Sequence, residues 1–258
     1  MDGARYMSSE RFQVITPAHS EYRDLVRGLT KEVWPEFMLH EQVANENWHE
    51  LFDRFFEYQL ALYDTVNGRV AGMANSFPLR WDDGLENLPE TGWDWAFQEA
   101  VRNHREGRTP NFHCAIQIVL RHAYQGQGLS RPMVEAVRSL TESKGLTALI
   151  IPLRPSEKSR YPLVSLDDYI TWKTEEGEAF DPWLRVHLRA GARIIKVCHE
   201  AKTIRGTRAD WEAWTGIKFP QSGEYIIPGA LNPIKMDVDN DEGVYIEPNV
   251  WIVHELKR

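Results

Sequence analysis

Hydrophobic positions change period several times along this chain, and the changes mark out its elements. Phe12-Gln13-Val14-Ile15 alternates briefly and predicts a first strand. Residues 22–39 follow a helical spacing that Pro35 interrupts. In residues 45–60, Trp48, Leu51, Phe52, Phe55 and Phe56 fall on one stripe, which predicts a helix with an aromatic core face. Residues 61–66 and 69–76 are short apolar runs on either side of Asn67-Gly68, so a hairpin on a type I′ turn is expected. After a Pro- and Asp-containing loop at 77–91, residues 93–105 predict a helix ended by Gly107 and Pro110. Residues 112–120 predict a strand, 129–144 an amphipathic helix and 146–153 a buried strand. A short helix at 181–190 closes on Gly191, and a strand follows at 192–199.

From the hairpin onward this order is β-β-α-β-α-β-α-β, which implies an α/β fold: a mixed central sheet flanked by helices. The tail differs in texture, with Gly, Pro and Asn punctuating short alternating runs such as Val250-Trp251-Ile252-Val253. It reads as an extension, residues 201–258, packed as extra strands and loops on a main domain of residues 1–200.

Composition narrows the function more than the fold. Hydrophobic residues make up 42% and charged residues 26% of the 258, and ten Trp and ten Phe supply a large core. A net charge of −8 argues against a nucleic-acid surface, which needs clustered Lys and Arg, but leaves room for a local basic pocket. Cys114 and Cys198 each sit inside an apolar run and read as core filler. The polar start, residues 1–11, lacks the apolar centre of a signal peptide, and no run approaches the roughly 20 apolar residues of a membrane helix. A cytoplasmic protein with no membrane partner is expected.

The informative stretch begins at Ile116. A strand runs into Gln125-Gly126-Gln127-Gly128-Leu129-Ser130, and a helix follows at once, with Pro132 in its first turn. Glycines let the backbone turn tightly and leave its N–H groups uncovered. Those donors and the positive helix end make a seat for phosphate oxygens. Two glycines between a strand and a helix also suit a plain structural turn.

The pattern resembles the acyl-CoA loop of the GNAT superfamily: Gln or Arg, two residues, Gly, one residue, then Gly or Ala. Gln125, Gly128 and Ser130 take the fixed places, Ser being a small departure, and Tyr124 precedes the loop as it does in the family. The usual Pro two residues earlier is His122 here. Val186-His187-Leu188-Arg189-Ala190-Gly191-Ala192 stands where the family has Leu-Tyr-Glu-Lys-x-Gly-Phe. The resemblance spans residues 12–197 and implies direct transfer of an acetyl or other short acyl group from acyl-CoA to a small-molecule amine.

The resemblance further implies that the fourth strand parts from the fifth and that pantetheine pairs with its backbone at Ile118 and Leu120, with Val119 between. The diphosphate would lie on the N–H groups from Gly126 to Ser130. A Tyr that often acts as acid is replaced by His187, whose ordinary pKa of about 6.5 suits that role. The carboxylate base expected early on the fourth strand is missing; His113 and Cys114 stand there, and His113 is the candidate. After the fifth strand, Arg154, Lys158, Arg160 and Tyr161 form a basic segment that borders the acceptor pocket in the family and suits an anionic group.

Two alternatives follow from the missing base. One is altered chemistry on the same fold, as acyl transfer to a carrier thiol or decarboxylation; the other is a non-catalytic acyl-CoA sensor. A homodimer stays open. No metal is expected: the His residues lack zinc spacing, and Asp237–Gly243, though reminiscent of a calcium loop, puts Pro248 where the bidentate Glu belongs.

Overall fold

The computed structural model describes residues 11–19 and 21–256. Its strands are β1 (Phe12–Ile15), β2 (Leu60–Asp64), β3 (Arg69–Leu79), β4 (Phe112–Leu120), β5 (Ala148–Leu153), β6 (Arg193–Gly206), β7 (Gly223–Tyr225), β8 (Ile234–Asp237) and β9 (Glu242–Glu255). The helices are α1 (Tyr22–Val26), α2 (Leu29–Val33), α3 (Gln42–Asn47), α4 (Glu50–Asp53), α5 (Gly92–Arg105), α6 (Ser130–Ser143), α7 (Leu166–Tyr169), α8 (Pro182–Arg189) and α9 (Arg208–Thr215). The expectation of no signal peptide rests largely on residues 1–10, which lie outside the described set.

The nine strands among the described residues form one sheet in the order β1-β2-β3-β4-β5-β9-β8-β7, with β6 also paired to β9. Pairing is antiparallel throughout except between β4 and β5. Strand alternation sorts side chains to the two faces. Leu149, Ile151, Val250 and Ile252 meet α6 through Met133, Ala136, Val137 and Leu140. Ala148, Ile150, Trp251 and Val253 meet α5 through Trp93, Ala96, Phe97 and Ala100. Each helix therefore presents its period-3.6 stripe to one face of a period-2 sheet.

The sheet also shows where local signals were overridden. The hairpin forms, but Asp64 pairs with Arg69 and Gly68 is its positive-φ residue (+63°), so the turn has four residues and is not type I′. The reason is Asp64, whose carboxylate accepts the N–H groups of Val66 and Asn67. The long helix expected at 45–60 is broken into α3, α4 and a 3-10 turn at Phe56–Tyr58. The expected division at residue 200 falls inside β6, and β9, from the supposed extension, lies in the middle of the sheet beside β5. The added structure is α9, β7 and β8, inserted between β6 and β9 around Trp211, Phe219, Ile234 and Tyr245. Asp237–Gly243 is the tight turn joining β8 to β9, where Asp237 accepts from Asn240.

Candidate functional site

The parallel pair is short. β4 and β5 match only as Phe112↔Ala148, His113↔Leu149 and Cys114↔Ile150. Beyond that point β5 holds to β9, whereas β4 follows β3, and the two strands part. A register shift where Asn75↔Gln117 gives way to Ser76↔Ala115 leaves Ile116 as an extra residue on β4. The Ile116 carbonyl is held by Trp93 Nε1 at 2.8 Å, so the first turn of α5 fixes the bulge.

The gap opens into a cavity of about 740 Å³. Ala115 to Leu120 form one wall, Ile151 to Arg154 the other, and Pro182, Trp183 and Val186 of α8 close one side. At one end stand Gln125 and Ser130; at the other are Trp34, Trp48, Trp93, Lys202, Glu247 and Asn249.

Ile118, Val119 and Leu120 line the cavity, as do Gln125 and Ser130. Gly126 (φ +73°) and Gly128 (φ +75°) turn the exposed loop, and a Cβ on either would meet nothing within 4 Å. Gln127 is exposed and Leu129 is buried beneath α6. Among the described residues, the N–H groups from Gly126 to Ser130 meet no protein acceptor. They stand at the start of a 14-residue helix, whose dipole adds to their attraction for an anion. The loop is anchored from behind: Gln125 Nε2 donates to the Leu120 carbonyl at 3.1 Å, and buried Tyr124 donates to Asp64 at 3.0 Å. Asp64 is held well below the usual carboxylate range, first by the Arg11 guanidinium.

The two histidines expected to move protons are elsewhere. His187 is fully buried in α8, with Nδ1 2.9 Å from His254 Nε2 and its ring on Trp183. Burial lowers its pKa well below the ordinary value, so it stands neutral where an acid would need a proton. His113 is fully buried between Thr141 and Ser76, each 2.7 Å from a ring nitrogen, and burial lowers it to about 3. Neither lines the cavity. Cys114 is likewise buried, which raises its thiol pKa.

The basic segment after β5 also scatters. Arg154 lines the cavity, but Nε is bound to Glu247 at 2.8 Å and its other arm to the Gly229 carbonyl. Lys158 is buried and donates to the Leu231 carbonyl at 2.7 Å. Arg160 is exposed and paired with Glu157, and Tyr161 packs among Tyr169, Trp172 and Phe180. Arg160 and Tyr161 therefore do not face the cavity, because the chain after Arg154 turns away to pack on α7 and α8.

Apart from Arg154, the polar end was not foreseen. Glu247 of β9 is fully buried, accepting from Arg154 and, at 2.8 Å, from Tyr245. Glu41 is also fully buried, accepting the Val43 and Ala44 N–H groups at the start of α3. Asp94, in the first turn of α5, accepts the Thr203 N–H at 3.1 Å, while its Oδ1 is buried with no partner. Burial, then Glu41, pushes its pKa up to about 7. These three carboxylates come from three separate segments, and the tail's alternating pattern marked strands without showing which face would meet the cavity. Among the described residues, no cluster of three or more His, Cys, Asp or Glu could hold a metal ion, and no helix is long and apolar enough to cross a membrane.

No protein-family model matches the chain. It is 32% identical over 250 residues to "Arginine N-acetyltransferase avaD" of Aspergillus versicolor, covering 87% of this chain and 86% of that one. The chain belongs to the GNAT acyltransferases. It is an acyl-CoA-dependent N-acyltransferase. Among solved GNAT structures, the loading GNATL domain of CurA from Lyngbya majuscula superposes with a TM-score of 0.60 at 18% identity, over 95% of this chain and 97% of that one. The GphF GNAT-like decarboxylase in complex with isobutyryl-CoA gives 0.56 at 17%, over 96% and 100%. At such identities these two relate the GNAT fold alone. The mixed sheet with its parted central strands and added C-terminal strands is that fold.

Proposed function

We propose that this enzyme transfers an acetyl group from acetyl-CoA to a nitrogen of a small cationic acceptor, with arginine as first candidate. The observation that carries the reading is the single cavity joining the glycine loop to a charged, Trp-walled end through the gap between β4 and β5. Its volume of about 740 Å³ suits a pantetheine arm and a small acceptor. The open N–H groups from Gly126 to Ser130 are suited to the CoA diphosphate. β4 is bonded to β3 on one side and faces the cavity on the other, so backbone groups at Ile118 to Leu120 suit the amides of pantetheine.

Glu247, Arg154 and Lys202 line the acceptor end, and Glu41 and Asp94 act on Lys202 from behind that lining, a formal surplus of one negative charge when all are ionised. A cationic acceptor offsets that surplus, whereas an uncharged arylamine does not. The arginine in the name of the Aspergillus versicolor relative agrees with this charge balance.

Thiol release from acetyl-CoA should be followed with L-arginine, agmatine, L-lysine and aniline as acceptors. Turnover of the cationic compounds and not of aniline is expected. Turnover of aniline alone would overturn the cationic-acceptor reading, and failure to bind any CoA species would overturn the whole assignment.

A further inference from the structure

The reaction needs a group to take the acceptor's proton, and neither His113 nor His187 reaches the cavity. Lys202 does. It projects from β6 into the cavity with 9% of its surface exposed, and its Nζ lies 3.3 Å from the centre of the Trp93 ring. Among the described residues Nζ has no hydrogen-bond acceptor and no carboxylate at ion-pair distance. An ammonium carries three N–H donors, and burying them with only a ring face for company is costly. The same Trp93 holds the bulged Ile116 carbonyl, so Lys202 sits beside the point where β4 leaves β5. Behind it, Asp94 has one carboxylate oxygen buried without a partner.

We propose that Lys202 is the general base of this enzyme, taking a proton from the acceptor's nitrogen, with Asp94 behind it as a positioning residue. The proposal rests on the cavity being the acyl-transfer site. Neutral Nζ removes one proton from the acceptor ammonium. The freed nitrogen attacks the thioester carbonyl carbon, the C–N bond forms, and the C–S bond breaks with its electron pair on sulfur. The nitrogen's second proton ends on the CoA thiolate, and Lys202 releases its own to solvent, so each turnover liberates one proton.

The charges around Nζ set where it titrates. Burial lowers the Lys202 pKa from the ordinary 10.5. Glu41 before α3, Asp94 on α5 and Glu247 on β9 oppose that, and Arg154 after β5 adds to it. Burial is the largest of these influences, which favours a neutral amine nearer working pH.

The test compares the intact enzyme with Lys202→Met, Lys202→Arg and Asp94→Asn, using acetyl-CoA with arginine and with agmatine. Lys202→Met keeps the apolar stem on Trp93. It should lower kcat/KM at least about a hundredfold for both acceptors and abolish the rising limb of the pH profile, with CoA affinity unchanged. Lys202→Arg, which stays protonated, should be equally inactive. Asp94→Asn removes an anion facing Nζ and should move the limb to lower pH; an unmoved limb would remove Asp94 from the scheme. A loss confined to arginine would make Lys202 an anchor for the acceptor's carboxylate and overturn the proposal, as would an unchanged profile in Lys202→Met.

One measurement is independent of turnover and of how the variants fold. Competitive labelling of the intact enzyme with trace acetic anhydride, read at Lys202 against pH, reports where Nζ titrates. A midpoint at the ordinary lysine value overturns the base role. If CoA binds but no amine is acetylated, the acceptor reading fails while this labelling still decides on Lys202.

Discussion

Gly128→Ala paired with Gly145→Ala separates backbone strain from cofactor binding on one helix. Gly128 precedes α6 and Gly145 follows it, with φ of +75° and +65°, and a Cβ would meet nothing within 4 Å at either. Both substitutions place an L-residue in the left-handed region, costing roughly 1–2 kcal/mol. Reduced freedom of the unfolded chain returns roughly 0.4–1 kcal/mol. A net loss of about 1 kcal/mol corresponds to about 2–4 °C in Tm for a domain of this size. The two variants should therefore melt alike. They should differ toward acetyl-CoA, because Gly128 adjoins the free N–H groups at the helix start, whereas Gly145 lies at the other end of α6. Disturbing one charge-assisted hydrogen bond to the diphosphate costs about 1.5–3 kcal/mol, a ten- to hundredfold weaker Kd. Calorimetric titration with acetyl-CoA, alongside thermal melts, reads both quantities. Equal affinity in the two variants would refute the placement of the diphosphate on this loop.

Other consequences can be checked by simpler means. Glu247→Gln leaves the Arg154 guanidinium, mostly buried, without its charge partner, and should destabilise by about 3 kcal/mol, seen as a lowered denaturant midpoint. Arg154→Met combined with Glu247→Leu should cost clearly less than that single change. Trp93→Phe keeps an aromatic face under Lys202 but deletes the donor to Ile116, so about 1 kcal/mol of stability and part of the turnover should be lost together. His113 stays neutral in the fold down to about pH 3, while in the unfolded chain it takes a proton near 6.5. The unfolded state thus binds more protons between those values: stability is full above about pH 6.5 and falls as pH drops through that window. At about 1.4 kcal/mol per unit the loss approaches about 5 kcal/mol, and His113→Gln should flatten that part of the urea-midpoint profile.

Period and punctuation in the sequence were enough for β4, α5, α6 and α8, whose limits lie within a residue or two of those expected. Each has a strong apolar pattern and a clear stop, and such signals need no distant partner. The glycine loop was legible for the same reason, since the residues that would seat a phosphate are contiguous and the helix that completes the seat begins at once. The middle of β6 was less legible. Its pairing with β9 shifts register between Cys198 and Lys202, and a shift of one residue exchanges the faces of every side chain beyond it. No local pattern said that Lys202 would face the cavity.

The sequence by itself determined the strands and longer helices from β2 to the start of β6, though not α7 or the helix α9 in the tail, together with the loop at residues 125–130 and the resemblance to the GNAT acyltransferases. Only the tertiary structure decided which charged groups meet. Glu41, Asp94, Arg154, Lys202 and Glu247 come from five places along the chain and become neighbours because β9 returns to lie between β5 and β6. It also withdrew His113 and His187, whose residue types suit proton transfer but whose positions face packed interior. The physical reason is common to both outcomes. Chemistry depends on distance and solvation, and for residues far apart in sequence both are set by sheet register and layer packing rather than by local propensity.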